Sequence, residues 1–516
     1  MYLDENYTMY KMAYHLVVND HFDVLEINEK DEEVWLEKYE KNTSTVVRII
    51  HKGFDWKNHL KKDIALTFQK AKAMKRLLAG KHVALYNVYV SSHVPVDDWE
   101  VLRKPMQLKE RNPVKMKVYY LAEDDLTEEK KRLFTDLNSS STSSPDALSE
   151  TAKEEKAQNY KRFLTNALLR QRQEAENVFS FGKPFLTYFL LVINIILFFM
   201  LESNGSSTSI DNLIEFGAKY NPAIIEDGQW WRIISSMFLH IGFLHLFMNM
   251  LAVYYLGTLV ERIYGSWRFL IIYFLAGISG GLASFAFTTN VSAGASGALF
   301  GLFGAIVFFG FIYKKLFFQT IGSGVLLLIG INIVFGFTIP QIDMGAHLGG
   351  LIGGFIASAI IHLPKNKSLR IQLLAFIVYL IMISGLVAFG VQNNVNSQSY
   401  QLMKMEELLM EDNYEEVVNI ATQALELSGD HEAAVLFQRS YAYIEMNQID
   451  QAIEDLENSI EYDDALPEAY YNLALLYYNT GESDKAEEMV ETAYEMNPDD
   501  EDFIDLYEEI TGKNAS

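Results

Sequence analysis

Seven apolar segments follow one another in the middle of the chain, at about residues 185–202, 240–259, 268–288, 296–313, 318–338, 345–363 and 370–390. Several run to about 18–21 residues, which at ~1.5 Å per residue spans a hydrocarbon core of ~30 Å. Seven such segments in succession, none with a comparable polar face, exclude a soluble helical core. The chain is therefore expected to be a multi-pass α-helical membrane protein with soluble domains at both ends.

Orientation follows from the connections. Arg162, Arg170, Arg172 and Lys183 precede the first span, Arg262 and Arg268 separate the second and third, Lys314 and Lys315 follow the fourth, and Lys365, Lys367 and Arg370 separate the sixth and seventh. The alternate connections carry almost no Lys or Arg apart from Lys219 and Arg232. Cytoplasmic loops are enriched in positive charge, so the amino terminus is expected inside and the carboxyl terminus outside, in what is expected to be a bacterial plasma membrane. No apolar stretch lies near Met1, so the first span is expected to act as the internal membrane signal.

The flanks differ in kind. Residues 1–137 read as a cytosolic α/β domain, with strands expected at 46–50, 82–90 and 114–122 and a helix from about Trp56 to Leu78. Its histidines show no metal-ligand spacing, and no cofactor or metal is expected. Residues 138–177 form a Ser/Pro-rich linker and then a polar helix expected from about Lys156. The tail, 399–516, repeats at 34 residues: Tyr470, Leu473, Ala474, Tyr477, Ala486, Val490, Ala493 and Pro498 match Leu436, Ser440, Tyr443, Ala452 and Leu456 one unit earlier. This is the packing pattern of tetratricopeptide (TPR) repeats, with Arg439 standing where Leu is expected, and it predicts about six helices and a cap forming a protein-binding α-solenoid.

Net charge is −24, and from residue 401 onward 4 Lys/Arg face 31 Asp/Glu, a local charge of −27. Such a tail repels phosphate, which argues against a nucleic-acid partner. The chain has no cysteine, so disulfides, thiol catalysis and thiolate metal sites are all excluded.

Polar residues inside the apolar segments carry the functional information. Ser296 opens the fourth span, His347 lies near the start of the sixth, and His240, His245 and Asn249 lie in the second. All three spans begin on the outer side, so these groups share a depth. His245 and Asn249, four residues apart, share a helical face. Intramembrane histidine is costly enough to mark a site. Gly297, Gly301 and Gly304, and Gly349, Gly350, Gly353 and Gly354, allow the fourth and sixth helices to approach closely.

WWR (230–232), HIGFLHLFMN (240–249), ERIYG (261–265), GASG (294–297) and AHLGG (346–350) together resemble the rhomboid family of intramembrane serine proteases, across residues 178–391. The resemblance implies a six-helix catalytic core, here with a seventh span, and a Ser–His dyad without a third carboxylate; no Asp or Glu is seen at the outer ends of the second, fourth or sixth spans. It implies Ser296 as nucleophile, His347 as general base and then acid, and His245, Asn249 and the Ser296 backbone N–H around the oxyanion. Trp231, Arg232, His240, Gly294, Gly297 and Gly350 would hold the surrounding structure. The implied substrates are transmembrane segments in the bilayer, reached laterally past the fifth span and the 337–343 loop, where Pro340 is placed to end the span. The competing reading is a catalytically silent adaptor that binds transmembrane clients and recruits partners through its soluble domains.

Overall fold

The computed structural model describes residues 2–75, 78, 80, 82–107, 114–122, 125–139, 148–339, 341–364 and 366–514. Pro340, Lys365 and residues 140–147 of the expected linker lie outside the described residues. The chain divides into two compact units, Met1–Lys183 with Ile306–Gly330, and Pro184–Ala305 with Ile331–Ser516.

In the first unit, helix α1 (Tyr2–Val18) leads into an antiparallel meander of β1 (Asp23–Asn28), β2 (Glu33–Glu40) and β3 (Thr43–His51). Helix α2 (Lys57–Met74) crosses over to β4 (His82–Val90), parallel to β3. A two-residue edge strand, β5 (Met106–Gln107), pairs with β6 (Val114–Leu121), which is parallel to β4, giving the order β1-β2-β3-β4-β6-β5. Helices α3 (Leu126–Asp136) and α4 (Glu150–Phe179) follow. Side chains alternate across the sheet: Val34, Leu36, Val47 and Ile49 pack with α1, whereas Trp35, Val46, Ile50 and Leu85 pack with Leu60 and Ile64 of α2. The three expected strands are present, while α1, β1 and β2 were not anticipated. Helix α4 starts before Lys156 because the Ser149 hydroxyl caps it, accepting from Ala152 N–H.

All seven apolar segments are helical. They are α5 (Phe185–Ser203), then, after short helices α6 (Ile210–Glu215), α7 (Asn221–Ile225) and α8 (Arg232–Ser235), the pair α9 (Gly242–Ala252) and α10 (Thr258–Tyr264) joined by a π-helical turn. Next come α11 (Ser266–Phe287), α12 (Ser296–Ile312), α13 (Lys314–Thr320) with α14 (Gly322–Thr338), α15 (Met344–Ile361) and α16 (Leu369–Val395). Among the described residues five helices are long and apolar enough to cross a membrane, or six when α13 and α14, bent by 75°, count as one; α12 is a shorter apolar helix. The expected continuous fifth span is therefore broken at Ile321. Helix α11 is the central one, 67% buried over its apolar window against 17–39% for the other four.

The tail forms α17 (Gln398–Met410), α18 (Tyr414–Ala424), α19 (Glu432–Glu445), α20 (Ile449–Tyr462), α21 (Pro467–Thr480), α22 (Ser483–Met496) and the cap α23 (Glu501–Thr511). Leu473, Ala474, Ala486, Val490 and Ala493 are fully buried between these helices, as are Ser440, Ala452 and Leu456 one repeat earlier. Arg439 departs from the repeat pattern because its guanidinium forms a two-pronged pair with Asp455 of α20, 2.7 Å on each side.

Candidate active site

Helix α12 begins at Ser296, so the serine lies at the end of an apolar helix, partly exposed rather than within its buried length. The approach is irregular: Gly294 has φ +151, and a β-carbon there would sit 2.8 Å from His245 Cε1. Only glycine accepts both the backbone and the contact. That same point lies 3.1 Å from His245 Nε2 and 3.9 Å from the Ser296 backbone nitrogen, so an imidazole and a backbone N–H converge beside the serine.

His347 lies in the first turn of α15, its backbone N–H donating to Asp343 C=O. Its ring stacks on Phe300 at 4.0 Å between centroids and 13° between planes. Phe300 is one helical turn beyond Ser296 on the same face of α12, so the stack lays the imidazole along the face that carries the serine. The backbones allow this because α12 and α15 touch without side chains between them. A β-carbon on Gly350 would lie 1.9 Å from Gly297 O, and one on Gly354 2.1 Å from Gly301 O. His347 Nδ1 is buried with no hydrogen-bond partner among the described residues.

His240 and His245 meet edge to face at 5.4 Å, and His240 Nε2 accepts from Ala295 N–H at 3.5 Å, holding the residue just before Ser296. The Asn249 amide donates to His245 C=O at 3.0 Å within its own helix. Arg232 is buried. Its guanidinium donates to Ile214 C=O and Ala218 C=O at 2.6 and 3.1 Å and stacks over Trp231, tying the 204–241 connection together.

One expectation is corrected. A carboxylate does stand at the start of the sixth apolar segment: Asp343 caps α15, Oδ1 accepting from Ala346 N–H at 2.8 Å. In the sequence it falls in the 337–343 loop because the apolar segment starts at residue 345, whereas the helix starts at Met344. Its Oδ2 accepts from the Ser284 and Ser292 hydroxyls at 2.5 and 2.9 Å. Phe300 and Asp343 are the two site neighbours that motif reading missed. The Phe at i+4 from Ser296 was the only available signal for the first, and the Asp four residues ahead of His347 for the second.

Comparison with known proteins places this arrangement. Residues 227–364 match the Rhomboid domain family. Over 473 residues the chain is 36% identical to Rhomboid protease GluP of Bacillus subtilis (strain 168), across 91% of each chain. The chain belongs to the rhomboid protease family. RHOMBOID-like protein 5 of Arabidopsis thaliana is 38% identical over 154 residues, 28% of this chain and 48% of that one. As a rhomboid protease the chain is a multi-pass membrane protein and an intramembrane serine peptidase, and nothing favours the silent adaptor. Residues 443–510 match a tetratricopeptide repeat family, so this rhomboid carries a TPR domain. The chain is also similar to the second TPR domain of human RPAP3 in complex with an HSP70 peptide, at 18% identity and a TM-score of 0.21, over 24% of this chain and 98% of that one.

Proposed function

We propose that Ser296 and His347 form the catalytic dyad of this rhomboid. Ser296 Oγ bonds to the scissile carbonyl carbon as its proton passes to His347. The tetrahedral intermediate then collapses, the peptide C–N bond breaks, and the imidazolium protonates the leaving amine. Water, deprotonated by His347, releases the acyl group from Ser296. His245, Asn249 and the Ser296 backbone N–H surround the oxyanion, where the loss of one donor costs about 3–4 kcal/mol in a soluble serine protease. The carrying observation is the stack of His347 on Phe300, one turn from Ser296.

The amino-terminal domain lies in the cytosol of a bacterial cell and the TPR domain outside. Two contacts support this topology. Lys315, expected inside, pairs with Asp23 and Glu37 of the amino-terminal domain at 2.7 and 3.0 Å. Glu226, in the 204–241 connection expected outside, accepts from Tyr400 of the TPR domain at 2.7 Å. The substrates are transmembrane segments cut near the outer surface, where water reaches Ser296 and a helix end unwinds most readily. They enter past α14, whose Leu327, Val334 and Phe337 are exposed. The TPR domain recruits a protein partner on its concave face.

Purified protein in detergent, given a single-span substrate, is expected to release two fragments. Ser296→Ala and His347→Ala are each expected to lose the activity by about 10³-fold or more. Undiminished cleavage by both variants overturns the assignment.

A further inference from the structure

Three segments must be held in register for the dyad to work: the end of the central helix α11, the 288–295 loop that delivers Ser296, and the first turn of α15 that delivers His347. One carboxylate touches all three. Asp343 Oδ2 accepts from Ser284 Oγ in the last turn of α11 at 2.5 Å and from Ser292 Oγ, four residues before Ser296, at 2.9 Å. Oδ1 accepts from Ala346 N–H, the residue next to His347, at 2.8 Å. Ser292 is fixed on its other side: its backbone pairs both ways with Lys219, at 2.9 and 3.1 Å. Lys219 is itself 1% exposed and donates from Nζ to Thr288 C=O at 3.0 Å, closing the loop against the 204–241 connection. Burial pushes the Lys219 ammonium down to about 8, and the Asp343 charge opposes that fall.

We infer that Asp343 is a positioning residue of the protease: its carboxylate sets the separation of Ser296 from His347 by clamping the serine loop onto the cap of the histidine helix. The inference rests on the Ser296–His347 reading. The glycine contacts between α12 and α15 fix how near the two helices come, and Lys219, Ser236 and His240 hold the loop ahead of Ser296 to the 204–241 connection, but none of these ties that loop to the first turn of α15. The Ser292–Asp343–Ala346 chain makes that tie. Hydrogen bonds to an ionised acceptor are shorter and about twice as strong as neutral ones, which suits a clamp made of two hydroxyls and one N–H.

The test measures kcat and KM per active site, with sites titrated by a fluorophosphonate that labels Ser296. Asp343→Ala is expected to lower kcat on the order of 100-fold, the effect of a misplacement of about 1 Å, with KM nearly unchanged and Ser296 labelled more slowly by a similar factor. Asp343→Asn keeps an acceptor oxygen and is expected to recover about tenfold of that loss. Ser292→Ala is expected to lower kcat about tenfold in the native background and to have no further effect beside Asp343→Ala. If Asp343→Ala does not fold, Ser292→Ala and Asp343→Asn still decide the matter. Native kcat and labelling rate per site in Asp343→Ala or, failing that, in Ser292→Ala overturn the inference. A native protein that the fluorophosphonate does not label at Ser296 overturns the dyad reading instead.

Discussion

Gly294 shows how one residue type carries the chemistry of its neighbours. Its backbone occupies a conformation that side-chain-bearing residues rarely adopt, and the absent β-carbon leaves the space where His245 and the Ser296 N–H converge. Gly294→Ala is expected to fill that space, displace the His245 ring and lower kcat by about 10²–10³-fold, the cost of losing one oxyanion donor, while the protein still purifies as a folded species. Cleavage rates per titrated site measure it, and a rate within about twofold of native would show that the donors lie elsewhere. Ser296, His347 and His245 stood out in the sequence because polar groups inside apolar segments are costly and therefore few. Phe300 and Asp343 did not. A phenylalanine in an apolar helix carries no such signal, and an aspartate just ahead of one resembles any loop residue until the helix start is known.

At the scale of elements, the membrane helices were readable from apolar length alone, but their breaks were not. The bend between α13 and α14 falls at Ile321, between Gln319-Thr320 and Gly322-Ser323-Gly324, small and polar residues that weaken a helix but that a segment apolar on average conceals. The strands β1 and β2 were missed for a related reason. Their segment is dense in Glu and Lys, and burial of one of those charges, Glu33, depends on a partner in another strand. Arg48 of β3 binds Glu33 of β2 at 2.7 Å and Asp63 of α2 at 2.9 Å, and also donates to Thr67 and Asn87. Burial pushes Glu33 and Asp63 up, but the Arg48 guanidinium outweighs it and holds both below the usual carboxylate range. Depressed folded values mean that this stabilisation is complete above the unfolded values, 4.5 and 3.8, and is lost as pH falls through the lower folded ones. Hydrogen exchange of the β3 amides, corrected for intrinsic rate, is therefore expected to be flat from about pH 7 to 5 and to rise below about 4.5. Arg48→Met leaves Glu33 to Lys70 and Asp63 to Lys52, at 3.0 and 2.9 Å, and removes the hydrogen bonds that joined the two carboxylates, so it is expected to destabilise the sheet by about 1.5–3 kcal/mol. Native protection of the β3 amides in that variant would remove Arg48 as the organiser.

For the whole molecule, the sequence announced two soluble domains and a membrane protease but not how the protease meets its tail. The second unit answers this with a small polar joint. Asn394, near the end of α16, receives a 2.6 Å hydrogen bond from Asn221 of α7 and donates to Phe285 C=O of α11 at 2.8 Å. A few residues on, Tyr400 of α17 donates to Glu226, just past α7, while Lys404 reaches the same carboxylate at 3.4 Å. Helix α17, the first of the tail, is thus seated on the connection that also carries Trp231 and Arg232, and Tyr400 is buried in the seat at 1% exposure. Periodicity could place the repeat helices because each packs on its neighbour every 34 residues; it could not place this joint, whose partners lie 174 residues apart. Tyr400→Phe keeps the ring and removes the hydrogen bond to a charged acceptor, worth about 1.5–3 kcal/mol. Exchange of the α17 amides in the full-length protein is expected to accelerate by about tenfold or more, while the amides of α21 and α22, two repeats away, keep their native rates because solenoid interfaces couple nearest neighbours. Unchanged exchange across α17 would mean that the apolar contacts of the first repeat hold it, and that the Tyr400–Glu226 bond does not tie the TPR domain to the protease.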